Sequence, residues 1–298
     1  MYPFNKSVTL HVQKNTFNNQ VIELYPDNSL KPEAYLKIFL RQGKLFSHRS
    51  EIFNTLRFCK KGFSLAPNVL DFDSQGYYYL VTQRMAGRPG NSLQLSSSQL
   101  QMVEQCLQLL HSNLSTSWGP FGHYRNLYAS YEINNLLLIL KKVGIVLQDN
   151  AINAWLTRLN LIDRFSFCQG EPILEHLMLD GHRIGFVDWE GSGYYHPFLD
   201  WSAWIHSLLI YGYFTEAMQI ILSLQKNDMA KLLPFFFVKR LLLSAAYPRN
   251  RRSIDKRTRK AYFYIVEKIL GAAHNEQHLG AAIEFIYEYA SRLREQSG

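Results

Sequence analysis

Residues 167–193, FCQGEPILEHLMLDGHRIGFVDWEGSG, carry three polar side chains whose types and spacing suit chemistry on a phosphate group. Glu171 follows a glycine, His176 comes five residues later, and Asp188 stands alone in the apolar stretch IGFVDW. A lone acid among apolar residues is costly unless something compensates it. For Asp188 the compensation is either a bound metal ion or a hydrogen-bonded structural role at the next turn, and the spacing alone leaves both open.

Phosphoryl transfer also needs a cation for the phosphates of a nucleotide, beside the metal ligands and an acid near the attacking hydroxyl. Lys37, in the strand-like segment AYLKIF, is the candidate. A lysine on a strand usually faces solvent. Glu51, fourteen positions later, favours a functional role for Lys37, because a buried lysine needs a carboxylate partner to stay charged and oriented.

The elements that would position these residues fall into two parts. In the first 90 residues, segments such as SVTLHVQ, VIELYPD and AYLKIF alternate between turn signals, and one helix is predicted around Ile52 and Leu56. After a Gly/Pro linker near residues 87–90, helical periodicity dominates, interrupted by 167–193. We therefore expect an α+β protein with a β-rich N-lobe (1–90) and a mainly helical C-lobe (91–298). The C-lobe would carry the catalytic loop and the metal site, with a cleft between the lobes.

Composition excludes several classes of protein. Of 298 residues, 47% are hydrophobic and 14% aromatic, which argues against disorder. The three cysteines have no metal-ligand spacing and favour a reducing compartment. No apolar segment reaches membrane-spanning length and no signal peptide is evident, so a soluble, cytoplasmic protein is expected. A Gly-x-Ser-x-Gly nucleophile motif is absent.

The net charge of +8 favours anionic partners, and residues 247–260, YPRNRRSIDKRTRK, form the densest basic run. This run either contacts an anionic substrate or a lipid headgroup at a membrane surface, or is a solvated connection between helices. Without aromatic interleaving or a nucleic-acid motif, nucleic-acid binding is not expected.

The chain resembles the aminoglycoside phosphotransferase and choline kinase group, which has the protein-kinase-like fold. Lys37 and Glu51 look like the strand lysine of that group and its helical glutamate. The segment YYYLVTQRMAGRPG is similar to the hinge that lines the adenine pocket, so the resemblance implies that Gln83 and Met85 contact the nucleotide. The stretch YLKIF…SHRSEIFNTLRF also resembles bacterial kinases of the lipopolysaccharide core.

The segment after residue 180 carries the most specific part of the resemblance. DGHRIGFVDWEGSGYYHPFLDWSAW is similar to the family's Gly-x-Ile-x-x-Ile-Asp-Trp/Leu-Glu run with a later Asp. This implies that Asp188 is a magnesium ligand. It also implies that Asp200 is a structural acid at a buried helix start.

The chain departs from the family pattern in its catalytic loop and its nucleotide-covering loop. The family's His-Gly-Asp is replaced by Gln169-Gly170-Glu171, and His176 stands at the position of the metal-binding Asn. The carboxylate of Glu171 lies one methylene further from the backbone than that of the family's Asp. An error of 1 Å in position costs on the order of 100-fold in rate. The covering segment HVQKNTFNNQVIEL has no glycine to bring backbone N–H groups close to phosphates.

Two hypotheses of different classes follow. The first is an ATP- and Mg²⁺-dependent phosphotransferase acting on a hydroxyl of a small molecule or glycan, of the aminoglycoside, choline or core-sugar type. Lys37, held by Glu51, would contact the phosphates; Asp188 and His176 would hold the metal, and Glu171 would act as the base or orient the hydroxyl. The second is a pseudokinase that works as a binding or regulatory module.

Overall fold

The protein is described from a computed structural model. The residues that the structure describes are 8–15, 19–26, 29–40, 47–60, 65–75, 78–113, 115–116, 125–181, 183–224, 231–246, 263–264, 266–270 and 288–289. The basic run at 247–260 lies outside them. The chain divides into two compact units, the first formed by Met1–Glu104 and Gln169–Gly193, the second by Gln105–Cys168 and Tyr194–Gly298.

The described residues of the first unit include a five-stranded antiparallel sheet, which the alternation of apolar residues predicts, and a helix. In spatial order the strands are β1 (Val8–Asn15), β2 (Asn19–Pro26), β3 (Ala34–Phe39), β5 (Tyr79–Gln83) and β4 (Val69–Asp73). Helix α1 spans Ser47–Lys60. One face of the helix meets the sheet through a buried cluster of Phe39, Ile52 and Leu80.

The register of the sheet determines where Lys37 points. Lys37 pairs with Val21 of β2 and Leu80 of β5. Because successive side chains on a strand alternate between faces, Lys37 shares its face with Phe39 and therefore with the side of the sheet on which α1 packs.

A second, smaller sheet of the first unit consists of β6 (Arg88–Pro89), β9 (Leu177–Asp180) and β10 (Arg183–Phe186), in the order β10-β9-β6. In the β9–β10 hairpin Leu177 lies opposite Phe186. The residues just outside this pair, His176 and Val187, are therefore also neighbours, and the Val187 N–H donates to the His176 carbonyl at 2.9 Å. The segment 169–193, which the division into 1–90 and 91–298 assigns to the helical part, clusters with the N-terminal sheet. That division remains a prediction.

The second unit is mainly helical. Helix α2 (Ser97–Asn113) contains the point of division, and the helices after it are α3 (Arg125–Val143), α4 (Asp149–Leu159), α5 (Phe198–Ile210), α6 (Phe214–Leu224) and α7 (Leu233–Ala246). A small sheet joins β7 (Ser115–Thr116), β8 (Phe165–Cys168) and β11 (Gly193–Tyr195). The core of this unit includes fully buried aromatic side chains, among them Trp155, Trp204 and Phe235. The mixed α+β architecture predicted from the sequence is confirmed.

Among the described residues, no helix combines the length and the hydropathy needed to cross a bilayer. Cys59, Cys106 and Cys168 are free thiols.

Candidate functional site

Lys37 and Glu51 form an ion pair inside the first unit. The Lys37 Nζ lies 2.7 Å from Glu51 Oε2. Glu51 stands in the middle of α1 and is 4% exposed, so its carboxylate depends on this partner for its charge. The pairing that the fourteen-residue spacing suggested is therefore present.

Asp188 lies two residues after the end of β10 and has a left-handed backbone conformation, with φ 61° and ψ 68°. Such a conformation costs a residue with a Cβ on the order of 1–2 kcal/mol, and Asp and Asn are among the residues that tolerate it best. The buried Gln169 supports the turn: its Nε2 donates to the carbonyls of Asp188 at 3.0 Å and Val187 at 3.3 Å. Backbone strain that is held by specific hydrogen bonds is common at functional sites, where a side chain must keep a defined orientation.

Two further carboxylates face Lys37 besides that of Glu51. The Lys37 Nζ is 3.2 Å from Asp188 Oδ1 and 3.6 Å from Glu190 Oε2. Oxygens of Glu51, Asp188 and Glu190 all lie within 4.8 Å of one another, in a group able to hold a metal ion. The side chains of Asp188 and Glu190 are 32% and 30% exposed, so solvent and solutes reach them.

The electrostatics of this cluster follow from three carboxylates that share one positively charged side chain, that of Lys37. Burial alone lowers the pKa of Lys37, but the carboxylates of Glu51, Asp188 and Glu190 outweigh it and raise the pKa above its usual value. Burial raises the pKa of Glu51 to about 7, against the opposing pull of Lys37. The lysine is thus held charged, while the cluster as a whole carries more negative than positive charge.

His176 and Lys37 contact different oxygens of the Asp188 carboxylate. The Nε2 atom of His176 is 3.5 Å from Asp188 Oδ2, whereas Lys37 contacts Oδ1. The other ring nitrogen, Nδ1, lies 3.1 Å from the Glu171 carbonyl oxygen. His176 stands in a single 3-10 turn, Leu174–His176, immediately before β9.

Glu171 is tied to the same loop through its backbone. Its N–H donates to Gln169 Oε1 at 2.9 Å, and its carbonyl accepts from His176. Gln169 therefore links Glu171 to the Asp188 turn through one side chain, in the place where the family usually has histidine. Gly170 between them has φ 99°, and a Cβ there would lie 2.2 Å from the Gly191 carbonyl oxygen, so only glycine fits.

Helix α1 also anchors the residues just after Asp188. Phe58 stacks on the buried Trp189 with ring centroids 4.9 Å apart. Asn54 Nδ2 donates to Ser192 Oγ at 2.8 Å. The helix that supplies Glu51 thereby also holds the 3-10 turn Trp189–Gly191, which begins directly after Asp188.

Gln83 and Met85 belong to a different group of residues from the Lys37 cluster. Both line an open cavity of about 610 Å³, whose other lining residues are Pro32, Glu33, Leu70, Arg84, Ala86 and Gly87. The Met85 side chain also reaches β10, because a Cβ on Gly185 would lie 1.8 Å from Met85 Cε. The nucleotide contacts that the resemblance implies for Gln83 and Met85 remain a prediction.

Glu190 and Asn19 were not among the residues predicted for the site. Asn19, at the start of β2, donates from Nδ2 to Glu190 Oε2 at 3.1 Å. The acidic residue of the Asp-Trp/Leu-Glu run was the available signal for Glu190. For Asn19 the sequence offered the turn-forming pair of asparagines, which predicts a hairpin but not a side-chain contact 171 residues away.

Asp200 lies in the second unit, apart from this cluster. It is fully buried in the first turn of α5, and its Oδ2 is 3.0 Å from His111 Nε2 on α2. Ligand atoms of His111, Cys168 and Asp200 lie within 4.8 Å of one another. Spacing along the chain does not indicate a metal site at His111, because Cys168 and Asp200 are 57 and 89 positions away.

Comparison with known proteins identifies the fold. A thermostable mutant of aminoglycoside phosphotransferase APH(4)-Ia, solved with ADP and hygromycin B, superposes with a TM-score of 0.56 at 12% identity, over 94% of this chain and 95% of that one. A putative fructosamine-3-kinase from Thermobifida fusca gives 0.57 at 11% identity, over 90% and 94%. The streptomycin–ATP complex of APH(2")-IIa gives 0.52 at 10% identity, over 88% and 93%. At these identities the likeness establishes a kinase-like α+β fold, as predicted.

The sequence profile of the phosphotransferase enzyme family matches residues 19–210, which is more than half of the chain. The chain therefore belongs to the phosphotransferase enzyme family, and the resemblance drawn from its motifs is confirmed. No curated protein matches the sequence.

Proposed function

We propose that this protein is an ATP-dependent phosphotransferase that moves the terminal phosphoryl group of the nucleotide to a hydroxyl of a small molecule or glycan. The proposal rests above all on the contact of Lys37 with both Glu51 and Asp188. Residues from β3, from α1 and from the turn after β10 converge there, although 14 and 151 positions separate them along the chain.

Each member of the cluster has a role that its geometry supports. Lys37, kept charged by its acidic neighbours, would neutralise phosphate oxygens of the nucleotide. Asp188 and His176 would hold the divalent cation, Mg²⁺ by expectation from the sequence, and Glu190 adds a third candidate ligand. The donor set fits a cation, since the acids outnumber the lysine and two of them are exposed to solvent. A bound cation would neutralise charge that develops on the transferred group.

Glu171 would accept a proton from the acceptor hydroxyl or orient that hydroxyl. Its backbone is held at both the N–H group and the carbonyl, which supports this role by fixing the point from which the side chain starts. Gln83 and Met85 would contact the base of the nucleotide.

The first experiment is calorimetry of ATP binding with and without Mg²⁺, on the wild type and on Asp188→Ala. We expect binding that depends on the cation and is lost in the variant, because the variant removes both a metal ligand and a partner of Lys37. Asp71→Ala is the matched control, since Asp71 is an acid of the same unit that contacts Tyr79 rather than Lys37. Absence of binding up to millimolar ATP in the wild type contradicts the proposal.

The acceptor is proposed only as a class. Solved relatives of this fold carry hygromycin B in one case and streptomycin in another. Aminoglycosides, amino alcohols and core sugars are therefore the first acceptors to screen, with release of ADP as the readout.

The second candidate is a pseudokinase, and one contact favours it. Asn19 of the nucleotide-covering hairpin is hydrogen-bonded directly to Glu190, so the hairpin contacts the acids that a cation would need. In that case ATP would bind weakly or not at all, and the calorimetry above would reveal this before any acceptor is known.

A further inference from the structure

The orientation of the His176 ring is fixed by its contact with the Glu171 backbone. A carbonyl oxygen can only accept a hydrogen bond, so His176 Nδ1, 3.1 Å away, must carry the proton. In a neutral imidazole the other nitrogen, Nε2, is then a bare lone pair. This is the arrangement in which histidine ligates metals, with its second nitrogen bound to a backbone carbonyl.

That lone pair faces a carboxylate oxygen. Nε2 of His176 and Oδ2 of Asp188 are 3.5 Å apart. A divalent cation between them can accept an electron pair from each atom, and an ion about 2.0–2.2 Å from each donor atom spans such a separation. Lys37 contacts the other oxygen of Asp188, so a cation at this place does not compete with the lysine for Oδ2.

The hairpin explains why this pair is well defined. The His176 carbonyl accepts from the Val187 N–H at 2.9 Å, and Gln169 Nε2 donates to the Asp188 carbonyl at 3.0 Å. The backbone of His176 is therefore bonded to the residue before Asp188, and the backbone of Asp188 is bonded to Gln169. When the backbones of two ligand residues are both held by hydrogen bonds, their side chains keep their separation as a metal ion binds.

We propose, on the basis of the function proposed above, that His176 Nε2 and Asp188 Oδ2 form a nitrogen–oxygen site that prefers a divalent transition metal to Mg²⁺. Nitrogen donors suit first-row transition metals, whereas Mg²⁺ favours oxygen donors only. Mn²⁺ is the most demanding probe, because it is the weakest binder of the Mn²⁺-to-Zn²⁺ series. Because Mn²⁺ also binds sites made of oxygen ligands alone, the diagnostic quantity is the change in its preference over Mg²⁺ when the nitrogen ligand is replaced.

The test is Mn²⁺ binding to the full chain without nucleotide, followed by electron paramagnetic resonance and by competition with Mg²⁺. We expect Mn²⁺ to bind at least tenfold more tightly than Mg²⁺ to the wild type. The exchange His176→Asn puts an amide oxygen in reach of the site, and we expect it to lower this ratio at least tenfold. His11→Asn, at an exposed histidine of β1, is the matched control and should leave the ratio unchanged.

A spectroscopic readout on the wild type makes the result independent of how the variant folds. Spin-echo modulation from a coordinated ¹⁴N should appear with bound Mn²⁺ and disappear in His176→Asn. Lack of this modulation in the wild type, or a ratio within twofold of that of the variant, overturns the proposal.

The outcomes also separate this proposal from the one on which it rests. If ATP binds with Mg²⁺ in a manner that needs Asp188, while Mn²⁺ has no advantage and shows no nitrogen coupling, the phosphotransferase proposal stands and the metal preference is wrong. If neither metal and no nucleotide binds, both are wrong.

Discussion

Two groups of buried or half-buried charges in this molecule are built differently. In the first unit, Lys37 is surrounded by three acids, two of which are about one-third exposed. In the second unit, Glu132 of α3 pairs with Lys239 of α7, with side-chain exposures of 1% and 10%. The second group is matched one to one and closed to solvent, whereas the first has an excess of negative charge and is open.

The difference separates a structural role from a binding role. A closed pair must balance its own charge, because nothing from outside can reach it. An open cluster with more acids than bases is stable in water but gains most from an added cation. Disrupting the closed pair should therefore reduce stability, and changing the open cluster should alter ligand binding instead.

The largest effect is expected from Lys239→Met, which leaves Glu132 buried without a counter-charge. Removal of one partner of a buried ion pair typically costs about 3–5 kcal/mol. We expect a loss of that size in the free energy of unfolding, measured by urea denaturation at pH 7. The double variant Glu132→Leu/Lys239→Met replaces both charges and should recover most of the loss. A cost below about 0.5 kcal/mol in the single variant would mean that the pair is not desolvated.

The two groups also differ in how far the sequence predicts them. Lys37 and Glu51 were found because strand alternation and helical periodicity are local signals, and both residues stand in well-formed elements. The bonds of Gln169 to Val187 and Asp188 span 18 and 19 residues and depend on a left-handed turn that no residue type encodes alone. Such contacts form only once the loop has folded, so the local sequence does not predict them.

The second unit was harder still to predict. The Glu132–Lys239 pair joins positions 107 residues apart, and the His111–Asp200 pair joins positions 89 apart. Charge pairing in a helical core depends on which helix faces meet, and periodicity does not specify that. The structural role suggested for Asp200 came from the resemblance, and its full burial against His111 fits that role.

The next largest effect concerns rate and not stability. Glu171→Asp restores the residue that the family usually has, and shortens the side chain by one methylene. Because an error of about 1 Å in position costs on the order of 100-fold, we expect ATP turnover to rise by up to about that factor. The measurement is ATP hydrolysis, or phosphorylation once an acceptor is known.

The same exchange in the other group is the natural control. Glu132→Asp shortens the acid of the closed pair, and there we expect lower stability with no gain in turnover. If Glu171→Asp lowers turnover instead, the loop has adjusted to glutamate, and Glu171 is positioned correctly as it stands.

The pH dependence of stability should differ in sign between the two units. Burial, with a contribution from Arg240, lowers the pKa of His206 in α5 to about 3. The unfolded chain, at about 6.5, therefore binds a proton that the folded chain does not, and stability falls as pH drops below 6.5. Glu51, with its pKa raised to about 7, contributes stability below about 4.5 that is lost as pH rises through 7.

These opposing contributions are separated by a variant. His206→Gln removes one titrating group and leaves Glu51 unchanged. Between pH 7.5 and 5.5 the wild type should lose about 1.4 kcal/mol more stability than this variant. His196, whose pKa burial also lowers to about 3, should behave in the same way in His196→Gln. Equal losses in the wild type and both variants would show that the pKa of each histidine is the same in the folded and the unfolded chain.

The smallest effect tests how the open cluster is covered. Among the described residues of the β1–β2 hairpin, the Asn19 amide donates to Glu190 Oε2 at 3.1 Å. A cation bound at Glu190 would displace this donor, and the same N–H group would then donate to a phosphate oxygen. Because the Glu190 side chain is 30% exposed, water replaces the amide there in Asn19→Ala. We therefore expect this variant to weaken ATP binding about threefold to tenfold, the net worth of an ordinary hydrogen bond, with stability nearly unchanged. Gln20→Ala, the next residue on the opposite face of β2, should leave affinity unchanged. Tighter ATP binding in Asn19→Ala would instead mean that the contact to Glu190 holds the site closed, which is the behaviour the pseudokinase reading requires.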